Sequence, residues 1–216
     1  MTFREYLKGK SVAIVGPAST MNGTKQGDSI DNYDIVVRFN SALPIKEPTK
    51  EDVGTKTSIL CNCLEPNNIS GGTIDPVMWY REGVEWMLSP YPNELWYIKE
   101  NYASFMKKNK DLKVECVNLP FFTKLENSLK TRPNSGLMGI TYILSHEIKS
   151  MYITGISFGK GGYCKGYKEH ITPERYNKLA NSHIHKQEPQ RVYFKNHVVI
   201  DPRVTVDAPL KNILST

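Results

Sequence analysis

The sequence predicts an α/β protein built on a single doubly wound, mostly parallel β-sheet with helices on both faces. First, seven short runs have the composition of strands, and most are continuously apolar, as expected for strands covered on both faces. Second, helical segments lie between several of these runs, an alternation typical of parallel sheets. Third, the 216 residues suit one domain, predicted to span 1–216. The strand-like runs are residues 11–16, 34–40, 57–62, 83–88, 113–118, 151–155 and 197–200.

Three segments between the strands carry helical signals. Residues 93–109 have apolar side chains at helical spacing, and Asn93 is the expected N-cap. Residues 121–130 and 136–148 form the next two predicted helices. The face of the first helix expected to be buried comprises Leu95, Ile98, Tyr102, Phe105 and Met106.

The composition is that of an ordinary soluble globular protein, with 39% hydrophobic and 23% charged residues. No apolar run approaches the roughly 20 residues that a membrane-spanning helix needs. The first ten residues, "MTFREYLKGK", lack the apolar middle of a secretory signal. The net charge is +6, but the basic residues are scattered. We therefore expect neither a nucleic-acid partner nor an integral membrane segment.

The four cysteines are expected to be free thiols in a reducing compartment. Cys61 and Cys63 alternate on a predicted strand, so their side chains point to opposite faces and suit a shared zinc ion poorly. No second Cys/His pair has zinc-finger spacing. We expect no metal and no cofactor.

Polar or glycine residues follow four of the predicted strands at their carboxyl ends: Gly16, Asn40, Asn62 and Gly155. In doubly wound sheets, ligands bind at this edge, near the point where the strand order reverses. The run "IDNYDIVVRFNSALP" is notable because a buried strand closes on Arg38 and Asn40. These two residues are two apart, so we expect their side chains to face the same side of the strand.

The first motif is "SVAIVGPASTMNG", in which a buried strand runs into a glycine and small residues. This arrangement allows backbone N–H groups to approach a phosphate or ribose, although a tight strand-to-helix turn needs the same residues. A dinucleotide fingerprint requires three glycines. Only Gly16 is present, because Ala18 and Met21 occupy the other two positions. A nicotinamide cofactor is therefore disfavoured.

The second motif is "TRPNSGLMGITYILSHEI", in which Asn134 and Ser135 are good N-cap residues and Gly136 opens an amphipathic helix. A helix N-terminus with free N–H groups and small polar side chains can bind an anion. Plain helix capping explains the same residues.

The third motif is "NSHIHKQE", in which His183 precedes Glu188 by five residues. Histidine is the usual general base near neutral pH, although a histidine in a surface loop is the alternative interpretation. His183 and His185 do not have the spacing of helical zinc ligands.

In this order, the motifs resemble those of the sialyltransferases of glycosyltransferase family 29. The large sialylmotif corresponds to "VAIVGPAST…GDSIDNYDIVVRFNSA…EDVGTKTS", and the small one to "RPNSGLMGITYIL…MYITGISFG". The third family motif resembles "KGYKEH", with Tyr167 and Glu169, and the very small motif is matched by His183 and Glu188. The resemblance covers roughly residues 11–196.

The resemblance implies a Rossmann-like, variant GT-A fold and metal-independent, inverting transfer of sialic acid from CMP-sialic acid to a hydroxyl of a glycan acceptor. A related CMP-linked keto-sugar acid, such as Kdo, stays open as the donor. His183 would be the catalytic base, with Glu188 in support. Arg38 and Lys165 would either read the donor's carboxylate or be structural. The residues implied in nucleotide binding are Gly16, Pro17, Ala18, Ser19, Asn40, Asn62, Asn134, Ser135, Gly136, Gly155, Ile156, Ser157 and Tyr167.

The chain departs from the family pattern at three places. The family's G-N-S is Gly16-Pro17-Ala18, so only backbone contacts to the nucleotide are expected there. Gly166 stands where the family has a histidine before the tyrosine of its third motif. The family's cysteine pair falls on Val12 and Glu147. Together with the missing membrane anchor, this suggests a cytoplasmic protein of a microbe or virus. A nucleotide-binding module without transferase activity and, less favoured, a dinucleotide-dependent oxidoreductase are the alternatives.

Overall fold

A computed structural model describes residues 1–180, 182 and 184–215, which form seven β-strands and ten α-helices. The strands are β1 (Ser11–Val15), β2 (Ile35–Phe39), β3 (Ile59–Cys61), β4 (Trp86–Ser89), β5 (Val114–Cys116), β6 (Ser150–Thr154) and β7 (Val204–Val206). The helices are α1 (Phe3–Leu7), α2 (Gly27–Asp31), α3 (Lys50–Val53), α4 (Pro76–Arg81), α5 (Lys99–Lys108), α6 (Leu119–Leu129), α7 (Ser135–Leu144), α8 (Pro173–Ala180), α9 (Gln187–Tyr193) and α10 (Ala208–Ser215).

The strands form one sheet in the order β5-β4-β3-β2-β1-β6-β7, and every neighbouring pair is parallel. The chain builds outward from β1 to β5, then returns to place β6 on the other side of β1. The strand order therefore reverses between β1 and β6, where Val15 lies opposite Thr154. This topology confirms the predicted doubly wound fold.

Alternate residues of the central strands pack under helices on opposite faces of the sheet. Val12 and Ile14 belong to a large buried cluster that includes residues of α1, α6, α7 and α10. Ala13 and Val15 face the other side, where α2 and α3 contribute Ile30 and Val53. Further along that second face, α4 and α5 cover β3 and β4. Both faces of the central strands are thus buried, which explains why their sequences are continuously apolar.

Two glycines allow the ends of β1 and β6 to approach closely. A Cβ on Gly16 would lie 2.2 Å from the carbonyl oxygen of Gly155, and a Cβ on Gly155 would lie 2.2 Å from that of Gly16. Gly155 also has a φ of +69°, which favours glycine. The carboxylate of Asp207 fixes this corner by accepting the Thr154 hydroxyl at 2.6 Å and the Gly155 N–H at 3.2 Å.

Two predicted elements differ from the structure. Residues 197–200 are not a strand, because Phe194–Val198 forms a π-helical turn and β7 lies further on. Phe194 and Val198 are buried and four residues apart, a helical spacing that the short run "HVVI" conceals. The helix expected from residue 93 begins only at Lys99, and no side chain caps its N-terminus.

The four cysteines are free, as the sequence predicts. Within the described part of the chain, no helix combines the length and the apolar character that crossing a membrane requires.

Candidate functional site

A cleft of about 610 Å³ opens at the carboxyl edge of the sheet, where the strand order reverses. The segments after β1, β2 and β6 form its floor, and the N-terminus of α7 forms part of its wall. The structure brings together in its lining ten of the residues singled out from the sequence: Pro17, Ala18, Asn40, Asn134, Ser135, Gly136, Gly155, Ile156, Ser157 and Tyr167.

The N-terminus of α7 points donor groups at this cleft. The side chain of Asn134 caps the helix by accepting the Leu137 N–H at 2.8 Å. The N–H groups of Ser135 and Gly136, in the first turn, make no hydrogen bond with any other described residue. Helix N-termini carry a partial positive charge, so these two donors can bind an anionic oxygen.

The backbone amides of the first motif do not serve the cleft as expected. The N–H groups of Gly16 and Ala18 donate to the carbonyl oxygens of Thr154 and Gly155, both at 2.9 Å, and that of Ser19 donates to Gly162 at 3.0 Å. Neither Gly16 nor Ser19 lines the cleft. The expectation of backbone N–H contacts to a nucleotide here is wrong, because these donors join the first motif to β6 and the loop after it.

The two asparagines at strand ends have different surroundings. Asn40 lines the cleft, and its Oδ1 accepts the Cys63 N–H at 3.1 Å. Asn62 is fully buried outside the lining; its amide donates to Gly71 O at 3.0 Å and accepts the Leu64 N–H at 2.8 Å. The structure thus places Asn62 as a brace for the loop beside the cleft.

Arg38 does not share the side of Asn40, contrary to the expected alternation. β2 ends at Phe39, and Asn40 has a φ of 50°, so the two-residue period stops before Asn40. The Arg38 guanidinium is buried, and donates to Val53 O at 2.7 Å, Lys56 O at 3.1 Å and the Thr57 hydroxyl at 3.0 Å. Burial lowers the pKa of Arg38 to about 10, with the carboxylate of Asp31 opposing that change.

Lys165 also lies outside the cleft lining, with an exposed side chain. Both Arg38 and Lys165 instead border a smaller adjoining cavity beside Gly16 and Val53. The two cations chosen from the sequence as readers of a donor carboxylate are therefore not in the wall of the main cleft.

The motif "NSHIHKQE" falls partly outside the described residues, which do not include His183. Glu188 is exposed in the first turn of α9 and pairs with Arg191 through two bonds of 2.9 and 2.7 Å. It does not line the cleft. The structure therefore gives Glu188 a surface ion pair, and its support of a catalytic base stays a prediction.

His185 and Arg132, which were not predicted as site residues, line the cleft next to each other. The Nδ1 of His185 is 2.9 Å from Arg132 O, so it must carry the proton, and Nε2 lies 3.4 Å from Arg132 Nη2. Burial, with the guanidinium of Arg132, holds the pKa of His185 below its ordinary value. The guanidinium also stacks 4.5 Å from the ring centre of Tyr97. The position of Arg132 beside the "PNSG" cap was the available signal.

Lys168 also lines the cleft and was not predicted as a site residue, although it lies between Tyr167 and Glu169 in "KGYKEH". Tyr167 is buried with its ring centre 5.0 Å from that of Tyr163, and burial raises the pKa of its phenol. Among the residues that the structure describes, no three His, Cys, Asp or Glu side chains are grouped so that they could hold a metal ion.

Sequence comparison places this chain among glycosyltransferases. The family model of glycosyltransferase family 29 (sialyltransferase) matches residues 6–148. Beta-galactoside alpha-2,6-sialyltransferase 2 of Gallus gallus is 28% identical over 94% of this chain and 43% of its own length. The enzyme of the same name from Homo sapiens is 32% identical over 63% of this chain and 29% of its own length. The chain thus spans less than half the length of these curated relatives.

Solved sialyltransferases share the fold. A mammalian sialyltransferase superposes with a TM-score of 0.60 at 14% identity, covering 92% of this chain and 69% of that chain. The sialyltransferase CstII from Campylobacter jejuni, in complex with the substrate analogue CMP-3FNeuAc, superposes with a TM-score of 0.58 at 16% identity, covering 93% and 82%.

Proposed function

Because the chain belongs to glycosyltransferase family 29 (sialyltransferase), we propose that it transfers sialic acid, or a related keto-sugar acid, from a CMP-sugar to a hydroxyl of a glycan acceptor. We further propose that transfer inverts the anomeric centre and uses neither metal nor cofactor. One observation carries the proposal: the cleft at the strand-order reversal is lined by the α7 N-terminus and by residues from both sialylmotifs.

The described residues fit the charge that such a reaction develops. When the bond between sugar and phosphate breaks, the phosphate oxygen keeps the electron pair and gains negative charge. The free N–H groups of Ser135 and Gly136 and the positive end of α7 can stabilise that charge. The Nδ2 of Asn40, whose Oδ1 is held by Cys63, is a further donor facing the same cleft.

The acceptor hydroxyl must lose one proton as its oxygen attacks the sugar. We propose that His183 takes this proton, since it occupies the position of the family's base in the very small motif. The neighbouring His185 is less suited, because its Nε2 faces the guanidinium of Arg132. A general base typically contributes about 10²–10⁴-fold in rate.

Two assays test the proposal on the whole chain. Binding of CMP, UMP and NAD is measured by calorimetry, and release of CMP from CMP-sialic acid is followed with and without a galactose-terminated acceptor. We expect that CMP binds and that UMP and NAD do not. We also expect that the acceptor stimulates the release of CMP from CMP-sialic acid. His183→Ala should reduce turnover by about 10²-fold or more while CMP still binds, whereas His197→Ala, at an exposed histidine, should change neither.

The outcome separates this proposal from its alternatives. CMP binding without release in the wild type would favour a nucleotide-binding module that has lost transferase activity. Binding of NAD but not CMP would favour an oxidoreductase, which the family membership does not support. The placement of the protein in the cytoplasm also stays a proposal, supported by its free thiols.

A further inference from the structure

Lys168 is a cation inside the wall of the cleft. Its side chain is only 8% exposed, and it lines the cleft together with Asn40, Tyr167 and Ser70. Its Nζ lies 5.4 Å from the ring centre of Tyr167. Lysine is rarely buried to this degree without a paired carboxylate.

The hydrogen bonds of Lys168 leave the ammonium incompletely satisfied. Nζ donates to the carbonyl oxygens of Ile69 and Ser70, the second at 2.8 Å. An ammonium has three donors, so one remains for another acceptor. Within the described part of the chain, no carboxylate forms an ion pair with it.

This environment is costly for a charged lysine. Burial lowers the pKa of Lys168 to about 8, with only the Cys63 thiol as a partly opposing influence. The hydrogen bonds to the carbonyl oxygens of Ile69 and Ser70 do not explain a charged residue here, since a neutral donor can also bond a carbonyl. A buried charge is stabilised when an opposite charge binds beside it.

We propose that the ammonium of Lys168 is the counter-ion for an oxyanion of the bound donor, either a phosphate oxygen or the carboxylate of the keto-sugar acid. This inference rests on the proposed function and names a charge-reading residue of that site. It gives Lys168 the role that the sequence suggested for Arg38 or Lys165, neither of which lines the cleft.

The test measures dissociation constants of three ligands by calorimetry: cytidine, CMP and the non-transferable analogue CMP-3FNeuAc. Lys168→Met removes the charge, and Lys168→Arg keeps it. Lys178→Met is the matched control, because Lys178 is an exposed lysine on α8, the helix whose Tyr176 lines the cleft. Thermal unfolding of each variant without ligand monitors the fold.

A phosphate contact predicts that Lys168→Met weakens CMP and CMP-3FNeuAc by about tenfold or more and leaves cytidine unchanged. A carboxylate contact predicts that only CMP-3FNeuAc weakens. Lys168→Arg should lose less, and Lys178→Met should bind all three ligands like the wild type. Wild-type affinities in Lys168→Met, or an equal loss for cytidine, would overturn the inference.

The wild type provides a second reading if Lys168→Met does not fold. Affinity for the anionic ligand that Lys168 contacts should fall as the pH rises from about 7 to about 9.5, while cytidine binding stays constant. The facing titratable groups do not explain such a change, because burial raises the pKa of Cys63 to about 11 and that of Tyr167 as well, and His185 is already neutral. A flat profile for both anionic ligands would contradict the inference. Failure of the wild type to bind CMP at any pH would instead refute the proposed function.

Discussion

The side-chain oxygen of Gln190 accepts the backbone N–H of Asn134 at 2.9 Å. Gln190 is fully buried in α9, and its Nε2 donates to Lys186 O at 3.1 Å. Asn134 is in turn the N-cap of α7. The buried side-chain amide of Gln190 therefore fixes the start of α7 to α9. The proposed phosphate site thus depends on a residue outside the cleft wall.

Replacing Gln190 with leucine should destabilise the protein and weaken CMP binding together. The substitution leaves the Asn134 N–H and the Lys186 carbonyl without partners, at a cost of about 1–3 kcal/mol in the free energy of unfolding. The α7 N-terminus also loses its anchor. Urea unfolding and CMP calorimetry check the two effects; lower stability with unaltered CMP affinity would show that Gln190 does not position the site.

Gly16→Ala should destabilise the protein by about 3 kcal/mol, because small-to-large changes in a packed site force the backbone to shift. The new methyl group would meet Gly155 O at 2.2 Å and Ile156 Cδ1 at 2.5 Å. Gly136→Ala is the contrasting variant: its nearest neighbour would be Asn134 Oδ1 at 3.2 Å, and alanine is the better helix former. Its stability should stay within about 1 kcal/mol of the wild type. Similar unfolding curves for the two variants would contradict the close approach of β1 and β6.

Arg38→Met should lower the stability of the protein and leave the binding of the CMP-sugar donor unchanged. Three oxygen acceptors lose the guanidinium that bonds them: the carbonyl of Val53 at the end of α3, the carbonyl of Lys56 and the hydroxyl of Thr57. We expect a loss of about 3 kcal/mol in the free energy of unfolding, and a KM for the CMP-sugar within about twofold of the wild type. Arg81→Met, at an exposed arginine of α4, should change stability by less than about 0.5 kcal/mol. A large rise in KM with unchanged stability would contradict this prediction and indicate that Arg38 contacts the donor.

The free energy of unfolding should depend on pH through Lys168. Its pKa is about 8 in the folded protein and lies near 10.5 without burial. Between these two values the unfolded chain binds the proton and the folded chain does not, so stability rises with pH. Lys168→Arg stays charged over that interval and provides the reference. Urea unfolding of both proteins at about pH 7, 8, 9 and 10 should show the wild type gaining stability relative to the variant; parallel pH profiles would mean that Lys168 is not buried as a cation.

The sequence predicted the sheet and most of the cleft because both depend on local patterns. Continuous apolar runs mark strands covered on both faces, and the cap at Asn134 is visible in "RPNSG". What escaped prediction depends on contacts between distant residues. Three such contacts are the hydrogen bonds from the Gly16 N–H to β6, from Arg38 to Val53 O and from Lys168 to Ile69 O. They follow from the packing of the folded chain, which a single sequence does not display. The π-helical turn at Phe194–Val198 was missed because four residues suit a strand and a helix equally well.

The position of β1 between β2 and β6 has a consequence for synthesis on the ribosome. Its first neighbour, β2, follows within about twenty residues, but its other neighbour begins only at Ser150. At typical elongation rates, one edge of this apolar strand waits on the order of 10 s for its partner. An unpaired strand edge is a template for pairing with other chains. The edge of β1 that pairs with β6 is therefore open to contact with other chains until residues 150–154 have emerged from the ribosome.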